Sequence, residues 1–177
     1  MRIERSFGFV DLCGFTGFTE IHGDEEAVRC LAQFRTAVRD VASQRGVRVA
    51  KWLGDGAMFV SVGSPLLITT ILEIEERIDA AGSALTLRAG MADGPVILFE
   101  GDDHIGSAVN LAARLCDVAA PHQVLATPSV AAASPPWVEI EPVGLIQVHG
   151  FARPVEVVDL SRRTHATAEP MPERVTA

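Results

Sequence analysis

Apolar residues recur along this chain with two different periods, and each change of period marks a new element. From Ser6 to Leu12 they alternate, with Phe7, Phe9 and Asp11 sharing one parity, which predicts a strand. Cys13-Gly14-Phe15-Thr16-Gly17 then turns the chain toward a helix. From about Asp24 to Gln44 the spacing is that of an amphipathic helix, with Val28, Leu31, Phe34, Val38 and Val41 on one face and Gly46 as its stop. Val47 to Leu53 and Gly56 to Val62 read as strands joined by the tight turn Leu53-Gly54-Asp55-Gly56. Ser64 as cap and Pro65 at the first helical position open a helix that runs to about Ala81, where Gly82 stops it. Leu85 to Met91 and Val96 to Glu100 read as two strands around an Asp93-Gly94-Pro95 turn. A helix from about Ile105 to Ala119, a short strand at Gln123 to Ala126, and a closing hairpin of Val138 to Val148 with Pro154 to Leu160 complete the pattern.

The order strand, helix, strand, strand, helix, strand predicts an α+β domain of ferredoxin-like pattern over residues 1–160. Its sheet is antiparallel-rich, with helices packed on one face and a C-terminal hairpin. Residues 161–177, rich in Thr, Ala, Glu and Pro, are predicted to form a disordered tail. At 177 residues and 48% hydrophobic content the chain can bury one substantial core. A net charge of -8 argues against a non-specific nucleic-acid partner, which would need a basic surface. No apolar run is long enough for a membrane span, and no signal peptide is visible at Met1-Arg2-Ile3-Glu4-Arg5. Cys13, Cys30 and Cys116 are odd in number and lack metal-ligand spacing, which fits reduced thiols in the cytoplasm.

One lysine, Lys51, and one asparagine, Asn110, stand in a chain whose other basic residues are all arginine. A lone Lys among arginines marks a place where a compact ammonium serves and a planar fork does not, unless composition bias alone left it there. Asp11 ends an apolar strand, where a carboxylate needs a partner or a metal, and Gly14 follows with helix-start N–H groups that can hold phosphate. A helix cap or turn Asp is the alternative. Asp55, between Gly54 and Gly56, reads either as ordinary turn chemistry or as a second carboxylate beside the first strand. Asn110 and Arg114 share one face of an otherwise Ala, Val and Leu helix, either as an exposed polar stripe or as a pair awaiting a ligand.

Taken together, Phe9-Val10-Asp11-Leu12-Cys13-Gly14-Phe15-Thr16, Lys51-Trp52-Leu53-Gly54-Asp55-Gly56 and the segment from Asp103 to Arg114 resemble the three motifs of class III adenylyl and guanylyl cyclase catalytic domains, in order and at matching separations. The resemblance spans about Arg5 to Leu160 and is closest to bacterial single-domain adenylyl cyclases, since little chain precedes Arg5 in which a regulatory domain could be held. It implies that Asp11 and Asp55, with the backbone carbonyl of Leu12, bind two divalent cations, Mg²⁺ or Mn²⁺. It implies that Lys51 and Asp103 select the purine, that Asn110 orients the ribose, and that Arg114 stabilises charge on the reacting phosphate. Gly14, Phe15 and Thr16 would offer backbone amides to phosphate. His149, in Val148-His149-Gly150-Phe151, stands where the family usually places a Lys against the triphosphate.

The implied reaction is attack of the ribose 3′-OH on the α-phosphate of ATP, giving 3′,5′-cyclic AMP and pyrophosphate. ATP is favoured because a carboxylate can accept from the adenine N6 amine while an ammonium donates to N1. Guanine reverses both edges and would leave both groups unpaired. Lys51 and Asp55 lie across one tight hairpin and are expected not to face the same nucleotide. The site is therefore expected to be shared in a symmetric head-to-tail homodimer. The rivals are a guanylyl cyclase, a catalytically weak cyclase-like domain that binds nucleotide or a partner, and an interaction module with no nucleotide site.

Overall fold

The computed structural model describes residues 2–101 and 103–163. Along the chain these form β1 (Arg2–Leu12), α1 (Phe15–His22), α2 (Asp24–Arg45), β2 (Arg48–Leu53), β3 (Gly56–Ser61), α3 (Ser64–Ala80), β4 (Leu87–Phe99), β5 (Asp103–Ile105), α4 (Ser107–Val118), β6 (Val124–Ala126), α5 (Pro128–Ala131), β7 (Val138–Ile146) and β8 (Val155–Arg162). They build one sheet in the order β2-β3-β1-β4-β6-β8-β7, with β5 pairing outside this path on β4. Every pairing is antiparallel except that of β4 with β6. The first four strands with α2 and α3 are the ferredoxin-like unit that the alternation of periods predicts.

The helices do not all pack on one face, as the sequence pattern suggests. Val10 and Leu12 of β1 face α2 and α3 in a cluster with Phe34, Val38, Leu67 and Ile71. Phe7 and its parity mates look the other way, toward Ala108 and Ala112 of α4. That second face is shaped for a helix. A Cβ at Gly90 would lie 2.1 Å from the Cys116 nitrogen and 2.3 Å from the Ala112 carbonyl oxygen, so the backbone of α4 rests directly on β4. The connection from β4 to its parallel neighbour β6 must leave the sheet plane, and α4 is that crossover.

Three local expectations are also revised. Asp93-Gly94-Pro95 is no turn: β4 runs straight through it, because β1 begins at Arg2 and pairs with β4 from Leu12–Leu87 to Arg2–Ile97. Long-range pairing outweighs short-range turn chemistry here. Val28 is 63% exposed, and the inner face of α2 is Ala27, Cys30, Phe34, Val38 and Val41. Ser64 is the first residue of α3 rather than its cap. Gly63 holds the cap position, and the buried Ser64 hydroxyl lies 2.9 Å from that of Ser6. At the C-terminus β8 continues through Ser161 and Arg162, and the Arg163 N–H donates to the Trp137 carbonyl at 2.9 Å; residues 164–177 of the proposed tail lie outside the described residues.

Glu75 on α3 is a stored liability. Burial first, then the charges of Asp79 and Asp159, push its carboxyl up to about 7. The folded chain thus holds a proton there that the unfolded chain releases near 4.5, so stability falls as pH rises through that window. Glu75→Gln, which removes the charge, is expected to raise the melting temperature at pH 8 and change it little at pH 5. The gain at pH 8 should be on the order of 1–3 kcal/mol, read by thermal melts at both pH values.

Candidate active site

The acidic centre is built by a turn and a strand end. Leu53 pairs with Gly56, leaving Gly54 and Asp55 as a two-residue loop, and Gly54 has φ of 71°, a conformation that favours glycine. The loop is held from both sides: Arg35 donates to the Gly54 carbonyl at 3.1 Å, and the Leu12 N–H donates to the Asp55 carbonyl at 3.2 Å. Trp52 anchors the approach, edge-on to Phe34 with Arg35 and Arg39 each 5.2 Å from its ring centre. Asp11 lies opposite Gly56, so its carboxylate and that of Asp55 belong to one corner of the sheet. Burial raises the Asp11 carboxyl above the ordinary range. The Arg88 hydrogen bond pulls it back, and the charge of Asp55 adds to the rise. Two repelling, partly desolvated carboxylates are an all-oxygen donor set of the kind that Mg²⁺ or Mn²⁺ accepts, so the residues present fit such ions.

Beyond Asp11 the chain turns at Gly14, φ 76°, into α1. The first intrahelical bond of α1 is Phe18 N–H to the Gly14 carbonyl, so the N–H groups of Phe15, Thr16 and Gly17 have no partner inside the helix. A Cβ at Gly14 would meet nothing within 4 Å, so it is the positive φ and not crowding that favours glycine there.

Arg88 is a participant that the motifs do not announce. From β4 it places two nitrogens on Asp11 Oδ2, at 2.7 and 3.0 Å, and a third on the Asp117 carbonyl at 2.8 Å. The available signal was one charge in Leu87-Arg88-Ala89-Gly90, an otherwise apolar strand.

Lys51 and Asp103 come together from β2 and β5 as an ion pair, with both side chains about half exposed. Lys51 pairs with Met58 and Asp11 with Gly56, positions of equal parity on β3, so Lys51 shares the sheet face of Asp11.

Asn110 and Arg114 lie on the outer stripe of α4, whose Ala108, Ala112 and Leu115 face inward. With Ser107, His149, Gly150 and Phe151 they line a cavity of about 400 Å³. His149 is exposed beside this cavity. Arg114 rests on Asp117 at 3.0 Å. Neither Asp11, Asp55, Lys51 nor Asp103 lines this cavity.

No family model matches the chain. It is 35% identical over 153 residues to an uncharacterised protein of Mycobacterium tuberculosis, covering 86% of this chain and 40% of that protein. It is 35% identical over 122 residues to a pH-sensitive adenylate cyclase of the same species, covering 69% and 30% respectively. The chain thus spans less than half the length of these relatives. Among solved structures, the adenylyl cyclase CyaB of P. aeruginosa superposes with a TM-score of 0.82 at 22% identity, covering 93% of this chain and 97% of that one. The guanylate cyclase domain of RhGC from Catenaria anguillulae, in complex with GTP, gives 0.81 at 19% identity, covering 93% and 100%. Fold, motifs and relatives together make this chain a member of the class III nucleotidyl cyclase catalytic-domain family.

Proposed function

We propose that the domain is an adenylyl cyclase, converting ATP to 3′,5′-cyclic AMP and pyrophosphate at sites completed by a second copy of the chain. The observation that carries the substrate reading is the Lys51–Asp103 pair, two complementary groups brought from separate strands onto one surface. Asp103 would accept from the adenine N6 amine and Lys51 would donate to N1. Asp11, Asp55 and the Leu12 carbonyl would hold the divalent cations, which when bound neutralise triphosphate charge and acidify the attacking hydroxyl. Asn110 would orient the ribose, and Arg114 would meet charge developing at the reacting phosphate. The open amides of Phe15 and Thr16, after the turn at Gly14, would hold phosphate oxygens.

Two observations support sharing between chains. The Asn110–Arg114 cavity excludes the acidic and purine-facing residues of its own chain. On the β4–β5 hairpin beside Asp103, Ile97, Leu98, Phe99 and Ile105 are 43–54% exposed, an apolar surface of the kind that partners cover. A head-to-tail homodimer would set the cavity of one chain over the acidic corner of the other. Among the described residues no helix is long and apolar enough to cross a membrane, and the cysteines are free. Both fit a cytoplasmic enzyme.

The direct test is purified protein with Mn²⁺ and either ATP or GTP, reading cyclic product. ATP should yield at least about tenfold more, equivalent to about 1.4 kcal/mol of discrimination. Equal use of GTP would overturn the substrate reading. The second reading is a domain that binds nucleotide without cyclising it, and the Arg88–Asp11 ion pair favours it by occupying a cation ligand. Metal-dependent ATP binding with no cyclic product would establish that alternative.

His149 yields a further prediction. An imidazole carries its charge only at acid pH, whereas a lysine keeps it past pH 8. If His149 meets the triphosphate, His149→Lys places there a charge that persists across this pH range. The variant should therefore lower the KM for ATP more at pH 8 than at pH 6. An identical pH dependence in both proteins would assign His149 to packing alone.

A further inference from the structure

Away from the acidic corner, α3 and the loop before β6 bring three metal-ligating side chains to one point. Glu75, Asp79 and His122 each offer a ligand atom, and these atoms all lie within 4.8 Å of one another. Glu75 and Asp79 are one helical turn apart, so their carboxylates share a face of α3. His122 Nδ1 stands 3.3 Å from Asp79 Oδ2 and 3.7 Å from Glu75 Oε1. The loop is fixed, since the His122 N–H donates to the Leu87 carbonyl at 2.8 Å.

We propose that Glu75, Asp79 and His122 form a second cation site, separate from the catalytic pair and selective for a borderline transition ion such as Zn²⁺. Three features support it. The donor set is mixed: an imidazole with two carboxylates suits Zn²⁺, Co²⁺ or Ni²⁺, whereas Mg²⁺ prefers oxygen alone. No lysine or arginine sits on the pair: among the described residues His122 is the one basic side chain within ion-pair distance of Glu75 or Asp79. There is also room, since Glu75 and Asp79 border a hollow of about 240 Å³ with Leu72, Glu76 and Arg162, space for the water that completes such a shell.

The site is distinct from the catalytic corner. Glu75 belongs to α3, on the sheet face of Val10 and Leu12, while Asp11 lies on the α4 face. Bound there, the cation would tie α3 to the loop whose backbone holds Leu87, the residue before Arg88.

The experiment is titration of chelator-stripped protein, without nucleotide, with Zn²⁺ against a chromophoric chelator. The expected result is one Zn²⁺ per chain at about micromolar affinity, retained when Asp11 and Asp55 are both changed to Asn and not displaced by millimolar Mg²⁺. His122→Asn should bind at least about tenfold more weakly. Asn is chosen because residue 122 has φ of 63°, which Asn tolerates. Glu75→Gln is the second variant, with the same expected loss, and is decisive should the first not fold. Zn²⁺ should raise the melting temperature of the wild type and not of either variant. No Zn²⁺ bound at tens of micromolar would overturn the proposal and leave His122 as a plain ion-pair partner. So would equal binding by folded His122 and Glu75 variants, or loss of binding in the Asp11/Asp55 variant.

Discussion

Arg114→Ala is expected to cut kcat for cyclic AMP formation by about 100- to 1000-fold while moving the KM for ATP little. That is the usual signature of removing a group whose contact forms only as charge develops. Arg114 rests on Asp117. Substrate phosphate must draw it away, and the ion pair left behind is exposed and weak, about 1 kcal/mol or less. Asp11→Ala should be comparably inactive for a different reason. It removes half of the proposed cation-binding pair and leaves Arg88, which holds Asp11, without its carboxylate. Steady-state kinetics with Mn²⁺-ATP on both variants separates the two: Arg114→Ala should stay low at any metal concentration, whereas Asp11→Ala should also lose affinity for the metal.

The second large effect concerns the base. Lys51→Glu combined with Asp103→Gly is expected to abolish ATP cyclisation. The first change turns a donor into an acceptor facing adenine N1, and the second removes the acceptor for N6. Both positions are about half exposed and satisfy each other in the free chain, so the substitutions should leave the fold intact. Circular dichroism and the melting temperature would verify that. An active double variant with undiminished preference for ATP would remove these residues from base recognition.

Much of this was legible from residue order. The ferredoxin-like alternation came from the two apolar periods, and the six polar candidates for the site came from motif spacing. Lys51 and Asn110 stood out as lone members of their residue types in a chain otherwise committed to arginine. What stayed hidden was what only long-range packing decides. The turn signal at Asp93-Gly94-Pro95 is overridden by eleven paired positions between β1 and β4. The side of the sheet that α4 covers is set by the missing side chain at Gly90, which no local period reports. Arg88 escaped notice because it is the one basic residue on a largely apolar strand, informative only once β4 is known to lie against Asp11. The register also puts Lys51 and Asp11 on one sheet face through equal parity on β3, which the hairpin between Lys51 and Asp55 does not report.

Subunit mixing tests the central claim most directly. Asp11→Ala and Arg114→Ala proteins, each nearly inactive alone, are mixed in equal amounts and allowed to exchange subunits. A site that takes Asp11 from one chain and Arg114 from the other leaves each heterodimer with one intact site and one doubly broken site. Random pairing then predicts recovery of roughly a quarter of wild-type activity. If subunit exchange is demonstrated by an independent label and no activity returns, the site does not lie between chains.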